Sequence, residues 1–423
     1  MKSLLKTVVC TAATAALLST TALTAAQAET LRFISWQNDD GGMGDWWRAA
    51  IAKFEAENPG TSVDFTKVDR GSYADTMTTL FAGGQPPHIV HLASFEYQNF
   101  AENGWMENLD PWFEKDGIDM TGWAGQSTCV WKGETACVML LYFGFVMGYN
   151  EKILAEAGLE VPTTWDEYLN VVRATTKDLN GDGITDQFGT GHETVGGAGQ
   201  YLTELLNYVL SAGAYWTDKE GNVTMDTPEM IEGLTRYKTI IDEGLSPRDM
   251  KSGDVRNLFA DGKMAIRLDG PWIYPIMQKG AAASDLKIAV PAMSPPVGGS
   301  SNVLGMASEI SDDEKELVWK FMKIVMSPEF QRTYATDAGN TPPSPAADLS
   351  GVEESVPHFP LLVETQQAAA AAGVDRIPTG LEIQYGEFGK MVQEEVLRMI
   401  IEDLDPADVV KVLQEKAVAI QNG

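Results

Sequence analysis

Apolar positions along this chain follow two rhythms, one of period two and one of three to four, and they alternate from about residue 30. Leu31 to Trp36 reads as a strand, followed by a glycine-rich turn at 41–44. Over 45–58, Trp47, Ala50, Ile51 and Phe54 recur at i, i+3, i+4 and i+7, the spacing of one helix face, and Pro59-Gly60 closes that helix. Val63 and Phe65 mark a second strand. Tyr73, Met77, Leu80 and Phe81 mark a second helix stopped by Gly83-Gly84, and His88 to Ala93 a third strand. This βαβαβ order predicts an α/β fold with a parallel sheet covered on both faces.

Further along, helices announce themselves by their starts. Thr164-Trp165-Asp166-Glu167 and Ser311-Asp312-Asp313-Glu314 have the form of capping boxes. Thr227-Pro228 and Asp405-Pro406 each set a capping side chain before a proline at the first helical position. Trp165, Tyr168, Leu169 and Val172 then form one apolar stripe, which predicts core packing rather than ligand contact. No internal repeat is present.

The first 28 residues have the pattern of an export leader. Lys2 and Lys6 precede a run of apolar and small residues, and Ala26-Gln27-Ala28 has the form of a cleavage site. That run is too short to span a membrane, and Cys10 lies too early to be a lipid-anchored cysteine. A soluble periplasmic protein, cleaved and not lipidated, is the expectation. Without the leader the chain carries 29 basic and 60 acidic residues, a formal charge of −31. Such acidity argues against nucleic acid and anionic membrane as partners.

Cys129 and Cys137 flank Trp131-Lys132-Gly133-Glu134, which reads as a hairpin turn. Centring the turn on Gly133 sets the two cysteines opposite one another, with Cα atoms about 4.5–5.5 Å apart and within disulfide range. Two unpaired buried thiols are the alternative.

The most informative stretch is 259–272, FADGKMAIRLDGPW. Met264, Ile266 and Leu268 alternate as a strand that must stop at Gly270-Pro271-Trp272, because proline cannot donate to a ladder. The stretch resembles the signature of the family 1 extracellular solute-binding proteins, the maltose-binding-protein-like capture subunits of carbohydrate ABC transporters. Asn58 to Val63, Ala82 to Val90, Val146 to Asn150 with Pro162 to Glu167, and Ser327 to Gln331 with Gly339 to Pro343 resemble four further segments of that family, in its order. Two departures stand out. His88 occupies a position where the family has Asp, and the proline usual after the hairpin is absent beyond Cys137.

The resemblance implies a type II periplasmic binding fold of two α/β lobes, each a sheet flanked by helices, with a ligand cleft between them and closure by a hinge. The lobes are expected at 29–141 with 294–325 and at 142–293 with 326–423. It implies a monomer that hands a carbohydrate to the transmembrane permease subunits of an importer.

Sugars are held by flat aromatic faces and convergent carboxylates or amides. Trp36, Gln37, Asp39 and Asp40 follow the first strand, and Ser94, Phe95 and Glu96 the third, at the carboxyl ends where open α/β sheets bind ligands. The family comparison adds Phe143, Glu193 and Tyr385, and makes Trp272 the stacking residue; Asp269 is grouped with them. Core burial is the competing reading for each aromatic.

Asp178, Asn180, Asp182 and Asp186, with the Ile184 carbonyl, fit the first nine positions of a calcium loop, with Gly183 at the sharp turn. Position twelve, where such a loop has Glu, is Gly189. The expectations are a structural calcium or, failing that, an ordinary Asp/Asn/Gly turn. Motifs for a serine hydrolase, a P-loop or a zinc protease are absent, and the four histidines are not spaced as a metal pair. The rival to capture of a sugar is a secreted glycosidase, which needs only two carboxylates brought together. A polyol or an anionic sugar such as a glycerol phosphate is the alternative ligand.

Overall fold

Residues 29–40, 42–373 and 375–423 are described by the structure, a computed structural model. The leader read at 1–28 lies outside them. Among the described residues no helix is long and apolar enough to cross a membrane.

The first lobe is built on β1 (Glu29–Ser35), β2 (Thr61–Lys67) and β3 (Ile89–Ala93), paired parallel in the order β2-β1-β3. The helix Met43–Glu57 buries Trp46, Trp47, Ala50, Ile51 and Phe54. Its Trp47 meets Phe33 of β1 edge-on at 4.9 Å, while Phe65 of β2 stacks on Phe33 at 4.7 Å. A hairpin of β4 (Val130–Trp131) and β5 (Glu134–Thr135) follows, closed by the predicted disulfide Cys129–Cys137 with Cα atoms 5.1 Å apart. Lys132 and Gly133 form its turn with φ of 50° and 88°, the left-handed pair that a two-residue hairpin requires.

The chain then runs through β6 (Val138–Met139), β7 (Tyr142–Gly144) and β8 (Val146–Asn150) into the second lobe. There β8 lies between β9 (Ile266–Asp269) and β10 (Leu286–Ala289), antiparallel to both. It returns through β11 (Gly298–Ser300), which pairs with β7, to β12 (Asn302–Met306). Because β12 enters antiparallel between β3 and β6, the first sheet is mixed rather than purely parallel, in the order β2-β1-β3-β12-β6. The pair β7–β11 therefore joins the lobes.

The expected limit at 325/326 needs correction. The helix Pro328–Thr336 stays on the first lobe, where the Trp46 indole donates to the Phe330 carbonyl at 3.2 Å and to Thr333 Oγ1 at 3.1 Å. The cause is local: Ser327 caps a new helix at once, so the chain turns without leaving the lobe. It passes the joining strands later, where Thr341 donates to the Tyr142 carbonyl.

Of the two expected capping boxes, Ser311 with Glu314 forms both reciprocal bonds. Thr164 caps the Glu167 amide, but the Glu167 carboxylate reaches back to Thr163 instead.

Candidate functional site

Strand β9 carries Arg267 and Asp269 on one face, and the sheet buries both completely. Buried charges must be paired, and here they are. Arg267 donates to Glu204 at 2.5 and 3.0 Å and to Asp269 at 3.1 Å. Arg256, from the helix Ser252–Ala260, makes a two-point ion pair with Asp269 at 2.7 and 2.9 Å. Burial raises both carboxyls, but Arg256 and Arg267 hold Asp269, and Arg267 with His192 hold Glu204, below their usual values.

Asp269 also accepts the Trp272 indole N–H at 2.7 Å. A Cβ at Gly270 would fall 2.2 Å from that indole, so only glycine lets the ring fold back on the corner. Trp272 is partly buried and packs against Phe143 at 5.1 Å, at the point where β7 passes between the lobes.

Opposite stands the carboxyl end of the first sheet. Phe95 follows β3 and packs on Tyr385 at 4.9 Å and on Gly199, where a Cβ would meet its ring at 2.5 Å. The lobes thus touch through an aromatic and a backbone. Asp40, in the first lobe, has its carboxyl pushed up by loss of water, opposed by Arg256 from the second.

Glu193 is buried, its carboxyl makes no hydrogen bond among the described residues, and burial together with Glu204 pushes it up to about 8. At neutral pH it is a neutral acid able to donate to a hydroxyl. Its amide donates to Glu204, which ties it to the arginine network.

Several expected ligand contacts are positioning residues instead. Trp36 lies with one face stacked on His91 at 4.2 Å and the Arg70 guanidinium over its ring at 4.7 Å, so it offers no open platform. Gln37 turns inward and accepts the Trp47 indole N–H at 3.1 Å. Asp39 is exposed and paired with Lys67 at 2.6 Å. Ser94 donates to the Ser300 carbonyl at 2.8 Å, and Glu96 accepts Arg70 at 2.7 Å and the Ala93 amide at 3.1 Å. Phe95, Phe143, Glu193, Asp269, Trp272, Tyr385 and Asp40 are brought together around the cleft.

Sequence reasoning missed Arg70, Arg256, Arg376 and the Arg267–Glu204 pair. One signal was available: Arg267 and Asp269 at i and i+2 in a strand buried on both faces demand partners.

The loop 178–186 is largely exposed. Asp178 accepts the amides of Asn180, Gly181 and Gly183, Asn180 accepts that of Asp182, Asp182 that of Ile184, and Asp186 that of Leu179. No group of three or more His, Cys, Asp or Glu is gathered as a metal cluster among the described residues. A cavity of about 540 Å³ lies beside the loop, and one of about 290 Å³ lies between Tyr97, Gln98, Thr128, Trp131, Asp375 and Glu382.

Two lobes joined by paired strands, with charged and aromatic residues from both facing one cleft, define a ligand-capture protein. The family profile of bacterial extracellular solute-binding proteins matches residues 40–332, and the chain belongs to that family. A "Probable sugar-binding periplasmic protein" of Brucella melitensis is 24% identical over 335 residues, covering 72% of this chain and 76% of its own. Maltose-bound MalE3 of T. maritima is similar in fold at a TM-score of 0.77 and 20% identity, over 92% of this chain and 98% of its own. A solute-binding protein of Thermotoga lettingae bound with α-D-tagatose reaches 0.77 at 22% identity, over 93% and 100%. The fold is thus the type II periplasmic binding fold.

Proposed function

We propose that this protein captures a carbohydrate in the interlobe cleft and delivers it to the transmembrane permease subunits of an ABC importer. The observation that carries this reading is Trp272, pinned by Asp269 and backed by Phe143, at the junction of the lobes. A fixed indole packs on the C–H face of a sugar ring, while neutral Glu193 and the Arg256 nitrogen left without a partner among the described residues satisfy its hydroxyls. The sugar-binding relatives named above support the choice of ligand class.

The protein acts in the periplasm after loss of residues 1–28, without a lipid anchor, and binds without turnover. Calcium at 178–186 is part of the same proposal and rests on ligand spacing. A thermal-shift screen over mono- and disaccharides, polyols and anionic sugars tests the reading. Stabilisation by one group, with the ligand recovered chemically unchanged, is expected. Release of a free sugar from a glycoside would replace capture with hydrolysis, and no stabilisation by any of them would overturn the proposal.

A further inference from the structure

Three of the four arginines at or behind the cleft have a carboxylate partner in contact: Arg70 with Glu96 at 2.7 Å, Arg256 with Asp269 at 2.7 Å and Arg267 with Glu204 at 2.5 Å. Arg376 has none. It is 5% exposed and donates only to neutral oxygens, the Ser300 and Ser301 carbonyls and Ser94 Oγ. These bonds use Nε and Nη2; Nη1 has no acceptor among the described residues. The adjacent carboxylate, Asp375, is turned onto the Ser300 amide and hydroxyl and the Ile377 amide. A buried guanidinium without a counter-ion is costly unless something else supplies the charge.

The surroundings say where that charge would sit. Arg376 and Arg70 both lie over Phe95, at 5.0 and 5.5 Å from its centroid, so two like charges share one aromatic ring. Tyr385 packs on the same ring, is 3% exposed, and its hydroxyl has no partner among the described residues. Phe143, which backs Trp272, also has the Arg376 guanidinium 5.1 Å from its centroid.

We infer that the ligand is an acidic sugar, whose carboxylate pairs with Arg376 and Arg70 beside Phe95 and accepts the Tyr385 hydroxyl. This rests on the capture function proposed above and narrows its substrate. Glu96 pairs with Arg70 and Asp375 is held by Ser300 and Ile377, so Arg376 is the guanidinium left without a direct ion pair here among the described residues. A planar carboxylate accepts two guanidinium N–H groups side by side.

The test is calorimetric titration of the mature protein with D-glucuronate and D-galacturonate, their neutral counterparts D-glucose and D-galactose, and the two hexose 6-phosphates. At least one uronate is expected to bind a hundredfold or more tighter than its neutral counterpart and tighter than the matching phosphate. Arg70→Gln, at a position about one-third exposed, should cut uronate affinity at least tenfold and lower neutral-sugar affinity far less. Arg376→Lys, which keeps the charge but loses the planar fork, should also weaken the uronate. Neutral sugars binding as tightly as the acids would overturn this inference and leave the capture function standing. Preference for the phosphates would overturn the carboxylate assignment. Binding of no sugar in any arm would sink both readings.

Discussion

One carboxylate fixes both the aromatic and the cationic wall of the cleft: Asp269 accepts the Trp272 indole at 2.7 Å and pairs with Arg256 at two points. Arg256, Arg267 and Asp269 are then a single buried assembly whose members cannot be removed separately at low cost. Asp269→Ala leaves Arg256 without its carboxylate partner and Arg267 with Glu204 alone, and removal of one member of a buried ion pair costs about 3–5 kcal/mol. Urea unfolding should show a loss of that size, with sugar binding lost as well because Trp272 is unpinned. An Asp269→Ala variant as stable as the parent would mean that the network is solvated in solution.

Trp272 itself is the more direct probe of ligand contact. Its truncation removes an aromatic face worth about 0.5–1.5 kcal/mol beyond the area it buries. Trp272→Ala should therefore weaken the captured sugar about tenfold or more in calorimetry, with Trp272→Phe intermediate. Unchanged affinity in a folded Trp272→Ala variant would place the sugar elsewhere in the cleft.

Much of the frame was legible in the chain because the physics behind it is local. Period-two and period-four patterns produced β1, β2, β3 and the helix that buries Trp47. The hairpin spacing anticipated the Cys129–Cys137 bridge, and proline after Asp269 stopped β9 where expected. The site was legible only in part. Proximity to a strand end cannot tell a side chain that faces the cleft from one that faces the core, which is why Gln37 and Trp36 read as ligand contacts and proved to be packed. Arg376 was hidden for a different reason: its neighbours Ser94, Phe95 and Ser300 are distant in sequence and meet it only through the crossing strands. His88, an oddity against the family pattern, is explained by the fold. Its Nδ1 accepts the Arg32 amide at 2.7 Å and its Nε2 faces Glu314 at 3.1 Å, so it ties β3 to the capped helix behind it.

Glu193 makes the cleft sensitive to pH in a defined direction. The folded protein holds this proton up to about 8, whereas a free glutamic acid loses it near 4.5. A group that binds its proton more tightly when folded contributes stability that is complete below the unfolded value. That contribution is lost as pH rises through the folded one. Between pH 5 and 9 the parent should therefore lose urea stability relative to Glu193→Gln, which mimics the neutral acid at every pH. Sugar affinity should fall above pH 8 in the parent and stay level in the glutamine variant. Parallel profiles for the two proteins would show that Glu193 ionises normally and donates nothing to the ligand.

The loop 178–186 can be decided by metal alone. Its Asp178, Asn180, Asp182 and Asp186 side chains are already drawn inward by the loop's own amides, so the backbone has a closed turn with acids at alternate positions. Calcium takes six to eight oxygens from carboxylates, carbonyls and water, and such a turn offers three carboxylates, one amide oxygen and the Ile184 carbonyl. An ion bound only by the folded state stabilises by about 2.7 kcal/mol at a hundredfold excess over its Kd. Chelation should lower the Tm and leave sugar binding at low temperature intact, because the loop and the Trp272 cluster share no contact residue. Asp182→Ala should melt like the chelated parent and ignore added calcium. If calcium-loaded and calcium-free protein melt together, the acids serve only to hold the turn, with Asp178 acting as the acceptor that closes it.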